Sequence, residues 1–173
     1  MKRKDIKQTI KEYFFTNPTA KLRVREIERK LKLPLPSVIR YCKELENERS
    51  LTIEKEGNVK FYTANRESER YLLEKKLYNL KQLYESGLVE NIKIELSNPA
   101  TVVFGSYAKG EDMEDSDIDL YIETPSKKQI NLEKFKKILK RRIQVFQHKN
   151  IKDISNLHLA NNIINGITLN NYI

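Results

Sequence analysis

Between residues 101 and 123 the chain reads TVVFGSYAKGEDMEDSDIDLYIE, and this run leaves the backbone little choice. Residues 101–104 are short, apolar and β-branched, bounded by Pro99 and Gly105, and predict an interior strand. Gly105-Ser106 breaks it. A glycine there lets the backbone come close to a ligand, and the following residues, ending at Gly110, are placed to open a short helix whose free N–H groups face an anion. The Ser106 hydroxyl adds a donor. Residues 117–122 then alternate polar and apolar, so in a strand Asp117 and Asp119 project from one face. Such a pair can grip one divalent cation, or two. Hard cations prefer carboxylate oxygens plus substrate phosphates, and a two-metal clamp would stabilise the attacking and leaving oxygens of a phosphoryl-type transfer. The plainer alternative is an acidic hairpin with solvated carboxylates.

These residues, Gly105-Ser106, Gly110 and the pair Asp117 and Asp119, resemble the signature of the DNA polymerase beta superfamily of nucleotidyltransferases, most closely its minimal nucleotidyltransferases. The resemblance covers roughly the 75 C-terminal residues. It implies that Gly105, Ser106, Lys109 and Gly110 hold a nucleoside triphosphate, with ATP the expected one. It implies too that Asp117 and Asp119 carry Mg²⁺ or Mn²⁺ as the catalytic, metal-binding pair. Such domains often act with a helical partner protein, sometimes as an antitoxin that modifies a toxin with AMP. The family pattern places a third carboxylate, the base for the attacking hydroxyl, on the next strand. Here the residue in that place is Gln144, and an amide neither accepts a proton near neutral pH nor adds charge to a metal site. Asp153 and Glu123 are the nearest carboxylates by sequence, and neither fits the register.

Charge is unevenly spread. Residues 1–64 hold 16 Lys and Arg against 9 acids, or +7, and residues 65–173 hold 17 against 15, or +2. The basic excess invites a polyanionic partner for the N-terminal part. Ile6, Ile10, Tyr13 and Phe14 predict a first helix ended by Asn17-Pro18, and Val24, Ile27 and Leu31 a second. Pro36 suits the first turn of a third, with Val38, Cys42 and Leu45 as its buried stripe. Leu51 and Ile53, a turn at Glu56-Gly57-Asn58, and Val59, Phe61 and Thr63 predict a hairpin. The order resembles a winged helix-turn-helix. That would put Ser37, Arg40, Tyr41 and Lys43 of the third helix in a DNA major groove and bring Lys55 and Lys60 of the wing to phosphates. A protein-interaction platform is the other use of such a module.

Residues 65–85 predict a long helix with Leu73, Leu77, Leu80 and Tyr84 on one seam, packed on a neighbouring domain or forming a homodimer. A short helix over 88–96 leads to Pro99. Beyond the aspartates, Leu132, Phe135, Ile138 and Leu139 mark a helix whose outer face, Lys134, Lys136, Lys137, Lys140, Arg141 and Arg142, reads as solvated or as a triphosphate or nucleic-acid contact. Residues 143–146 follow as a strand, and residues 163–169 as a closing turn and strand.

The expected class is therefore α+β, with a winged helix-turn-helix over 1–64, connecting helices over 65–97, and a nucleotidyltransferase domain over 98–173 with a small mixed sheet and flanking helices. The expected function is metal-dependent transfer of a nucleoside monophosphate from NTP to an acceptor, joined to a DNA-binding module; the alternative is a DNA-binding regulator whose transferase domain senses nucleotide or is inactive. One cysteine, Cys42, excludes an intrachain disulfide, and no run of 18 apolar residues is present, so a cytoplasmic protein without membrane contact is expected. His148 and His158 lack partners at zinc-ligand spacing.

Overall fold

A computed structural model describes residues 5–172; residues 1–4 and 173, the outer ends of the first and last expected domains, lie outside the described residues. The chain is α+β and divides into two compact units, Met1–Lys75 and Lys76–Ile173.

In the first unit, Asp5 caps α1 (Ile6–Thr16) by accepting from the Gln8 N–H at 3.1 Å, and Asn17 ends it by donating to the Tyr13 carbonyl. α2 (Val24–Leu31) stops at Lys32, which turns left-handed. α3 (Leu35–Asn47) starts from Pro34 with Pro36 in its first turn, where the missing N–H costs nothing. β1 (Leu51–Glu56) and β2 (Val59–Ala64) pair antiparallel, from Leu51 opposite Ala64 to Glu56 opposite Val59. Ile10, Phe14, Ile27, Val38, Cys42 and Leu45 are fully buried between the three helices. Tyr71, from the start of α4 (Glu69–Glu85), closes this core and donates its hydroxyl to the Phe14 carbonyl at 2.9 Å. Burial alone pushes the Cys42 thiol up to about 12.

α4 starts four residues later than residue 65, because Asn65 and Arg66 are taken up by turn bonds and Ser68 faces the Tyr71 N–H. Most of the expected seam is exposed. Leu73 and Leu77 are each 56% exposed and Tyr84 51%, while Tyr71 and Leu83 are buried. Leucines stand on more than one side of this helix, and a period of 3.6 does not tell which side meets a core.

The second unit is built on a four-stranded sheet in the order β5-β4-β3-β6, where β3 is Ala100–Phe104, β4 Ile118–Glu123, β5 Ile143–His148 and β6 Ile167–Asn170. β3 is antiparallel to β4 and β6, and β4 is parallel to β5. One sheet face packs Val103, Ile118, Leu120, Ile122 and Ile143 against Leu88, Val89 and Ile92 of α5 (Leu88–Glu95) and Phe135 of α7 (Glu133–Leu139). The other face packs Val102, Phe104, Tyr121 and Phe146 against Ile163 of α8 (Leu157–Ile164) and Ile154. α8 was not expected: Ile163 and Ile164 are helical, and only the residues after Gly166 form the closing strand. Asn156 caps that helix by accepting from His158 and Leu159, a signal carried by an asparagine among several.

Candidate functional site

β3 ends at Phe104, whose register partner on β4 is Asp119. The chain turns at once into α6 (Gly105–Lys109), and the register makes that turn pass over the Asp119 carboxylate. Gly105 has φ +72°, and a Cβ on it would collide with Asp119 Oδ2. Glycine is therefore required twice, by conformation and by contact. Asp119 lies on the same sheet face as Tyr121 and Phe104, at the end where the apolar row stops. Burial first, and the charge of Asp117 second, hold the Asp119 carboxyl above its ordinary range. Among the described residues it has no hydrogen-bond or ion-pair partner.

Asp117, just before β4, is paired instead: Arg142 Nε lies 2.8 Å from its Oδ1. Arg142 was expected on the outer face of a helix. That helix ends at Leu139, Lys140 turns left-handed, and the last two arginines of the basic run part company. Arg141 goes inward, its side chain 10% exposed, donating to the Glu114 carbonyl and lying 3.5 Å from Asp112 Oδ2. Asp112 is buried and also accepts from Asn79 Nδ2 at 2.7 Å, which in turn donates to the Tyr107 carbonyl. This cluster holds the acidic loop between α6 and β4 and so sets where Asp117 stands. Sequence reading missed it; a carboxylate two residues past Gly110 carried no mark of burial.

Ser106 is half-buried at the turn, its hydroxyl without a partner among the described residues, and Lys109 is exposed at the end of α6. Gly110 ends the segment that follows the turn. Left-handed at φ +78°, it closes α6, its N–H bonded back to the Ser106 and Tyr107 carbonyls. Gln144 stands directly opposite Asp119 in the parallel β4–β5 register and is exposed. Glu123 accepts from the Tyr121 hydroxyl and the Ile151 N–H, and Asp153 from the Asn150 N–H, so both are engaged in the turn after β5. Among the described residues no three His, Cys, Asp or Glu gather as a metal cluster. The donor set is thus two carboxylates, one open. That fits a hard divalent cation such as Mg²⁺, which takes one or two carboxylates and completes its shell with water and substrate phosphate oxygens. A cavity of about 780 Å³, lined by Leu96, Pro99, Ala100, Thr124 and Tyr172, lies at the other end of β3 and includes neither aspartate.

In the first unit, Arg40 and Lys43 of α3 are exposed and Ser37 and Tyr41 half-buried. Arg40 lies over the Tyr41 ring, 4.3 Å from its centroid, and donates to the Tyr41 hydroxyl. On the hairpin, Lys55 and Lys60 are exposed and directly opposite one another. Beside them a cleft of about 490 Å³ between α2 and the hairpin tip is lined by Arg23, Arg25, Arg29 and Lys60, with Glu26 as its acid.

Residues 88–163 match the family model for the nucleotidyltransferase domain. The match begins at α5 and ends inside α8, so it contains the Gly-Ser turn, both aspartates and β5. No curated protein and no solved structure matches the chain significantly. A nucleotidyltransferase domain supports nucleotidyl transfer as the reaction class, and such domains generally use an NTP and a divalent metal ion. No helix among the described residues is long and apolar enough to cross a membrane.

Proposed function

We propose that the second unit binds an NTP, ATP for preference, with Mg²⁺ or Mn²⁺ at Asp117 and Asp119 and transfers its nucleoside monophosphate to an acceptor hydroxyl. The observation that carries this reading is the seat of Gly105 on Asp119: the turn offered to phosphates and the open carboxylate stand in van der Waals contact. In this reading the Ser106 hydroxyl and the backbone N–H groups of the turn orient the β- and γ-phosphates, and Lys109 adds positive charge at the rim. Asp119 and Asp117 hold the cation, which when bound offsets negative charge on the phosphates. The acceptor oxygen displaces pyrophosphate from the α-phosphorus, and its proton goes to water or to the substrate, because Gln144 cannot take it. The test is calorimetry of Mg·ATP binding. Asp117→Asn with Asp119→Asn should abolish metal-dependent affinity while leaving the fold; unchanged affinity would sink the assignment.

The first unit we read as a winged helix that binds DNA, with Ser37, Arg40, Tyr41 and Lys43 at the groove and Lys55 and Lys60 on phosphates. Like charges directly opposite on a hairpin repel, and an anion between Lys55 and Lys60 would relieve that cost. Affinity for duplex DNA should fall steeply with salt and weaken on Arg40→Ala. Absence of binding to random duplex at low salt would favour a protein-interaction role.

Gln144 opposite Asp119 favours a second reading, a DNA-binding regulator whose transferase domain senses nucleotide without turnover. Gln144→Asp separates the two. A latent transferase gains activity and binds Mn²⁺ more tightly, whereas a sensor gains metal affinity alone. Indifference of both melting temperature and metal affinity would remove Gln144 from the site.

A further inference from the structure

The Arg142 backbone is anchored, and its exposed side chain is held at one point. Its carbonyl accepts from the Ile118 N–H at 2.9 Å, which anchors it beside the entry to β4. Its side chain is 79% exposed and is held by the single bond from Nε to Asp117 Oδ1. An exposed ion pair of this kind is weak and easily screened. A divalent cation on Asp117 competes for the same carboxylate, with twice the charge. Once displaced, the guanidinium cannot turn to Asp119, where the same cation sits, and its rigid fork of donors matches phosphate oxygens better than an ammonium does. The phosphates themselves would lie at Gly105, in contact with Asp119.

We propose, on the basis of the NTP-binding reading above, that Arg142 is a phosphate-binding residue of this site, held on Asp117 in the metal-free protein and passed to the triphosphate when a divalent cation takes that carboxylate. It thereby couples the two ligands: the cation frees the arginine, and the arginine improves the hold on the nucleotide. The opposite effects of one substitution on the two ligands set this role apart from a structural ion pair.

The experiment is titration of the full chain with Mn²⁺ alone, followed by paramagnetic resonance, and with Mg·ATP, followed by calorimetry. Arg142→Gln should bind Mn²⁺ alone about threefold more tightly, because its competitor is gone, and Mg·ATP about tenfold more weakly, because a charged hydrogen bond to phosphate is lost. Arg142→Lys, which keeps the charge but not the fork, should hold Mn²⁺ near the wild-type affinity and lose about threefold for Mg·ATP. Weaker or unchanged Mn²⁺ binding by Arg142→Gln, or unchanged Mg·ATP binding, overturns the role of Arg142 while leaving the NTP reading intact, provided the aspartate double variant still loses nucleotide. If the wild-type chain itself binds neither ligand, the NTP reading falls and takes this role with it.

Discussion

Glu74 of the first unit and Asp119 of the second are both partly buried carboxylates, and they are treated in opposite ways. Glu74 accepts from Lys11 at 2.9 Å, Ser50 at 3.0 Å and Arg70 at 3.2 Å. Burial pushes its carboxyl up, but Lys11, Ser50 and Arg70 more than offset that, and the net result lies below the ordinary 4.5. Glu48 is likewise ringed by Lys7, Lys11 and Arg70. Asp119 has burial and a neighbouring carboxylate with nothing to offset them. The first unit surrounds these two carboxylates with cations; the second leaves Asp119 unmatched. An unpaired carboxylate that is costly to the free fold is what a cation site looks like from the protein side.

The largest expected effect concerns the cluster beneath the acidic loop. Arg141→Ala removes a largely buried guanidinium that donates to the Glu114 carbonyl and lies 3.5 Å from Asp112 Oδ2, and losing both charged bonds should cost about 3 kcal/mol. Denaturant unfolding of the full chain checks it, and the loss should fall on the second unit. A smaller loss, about 2 kcal/mol, is expected for Gly105→Ala, which must adopt φ +72° and push Asp119 aside. Nucleotide binding should fall with it. If Gly105→Ala keeps full Mg·ATP affinity, contact between turn and carboxylate is not part of the site.

Glu74→Gln should cost about 1 kcal/mol at neutral pH and little in acid. The sign follows from the depressed carboxyl: its stabilisation is complete above the ordinary 4.5 and disappears as pH falls through the lower folded value. Melting curves of wild type and variant should therefore converge on acidification, and a constant gap would contradict the comparison. The smallest effect has the opposite direction. Asp119→Asn removes an unpaired charge and should raise the metal-free melting temperature by about 2 °C, whereas Mg²⁺ should stabilise the wild type and not the variant. Cys42 offers a clock for the first unit alone: with its thiol near 12, about one part in ten thousand is thiolate at pH 8, so alkylation should wait for opening of that core.

Much of this was legible in the chain, for reasons that are local. Asn17-Pro18, Pro36, the Glu56-Gly57-Asn58 turn and the Thr101–Glu123 pattern each act through backbone sterics or through a period of two or 3.6, and those operate within a few residues of themselves. Gly105 could be assigned a close approach because a glycine ending a β-branched run has few other uses. The approaching group could not be named until the register set Asp119 opposite Phe104. The basic run after residue 133 shows where such reading stops. Its period continued past Leu139, and only the left-handed turn at Lys140 sent Arg141 inward and Arg142 to Asp117.

Sequence by itself determined most of the alternation of helices and strands, α8 excepted, the Gly-Ser turn and the spacing of the two aspartates, because each follows from rotamers, dihedrals and spacing inside a single segment. Tertiary structure alone decided which charges are matched. It put three cations and a hydroxyl around the Glu48 and Glu74 pair, an arginine from β5's entry on Asp117, and an amide beside Asp119, whose carboxylate has no partner among the described residues. Apart from Arg70 on Glu74, those outcomes depend on distances between residues 22 to 63 apart in the chain, and electrostatic energy is a function of distance in space, for which separation along a chain carries no information.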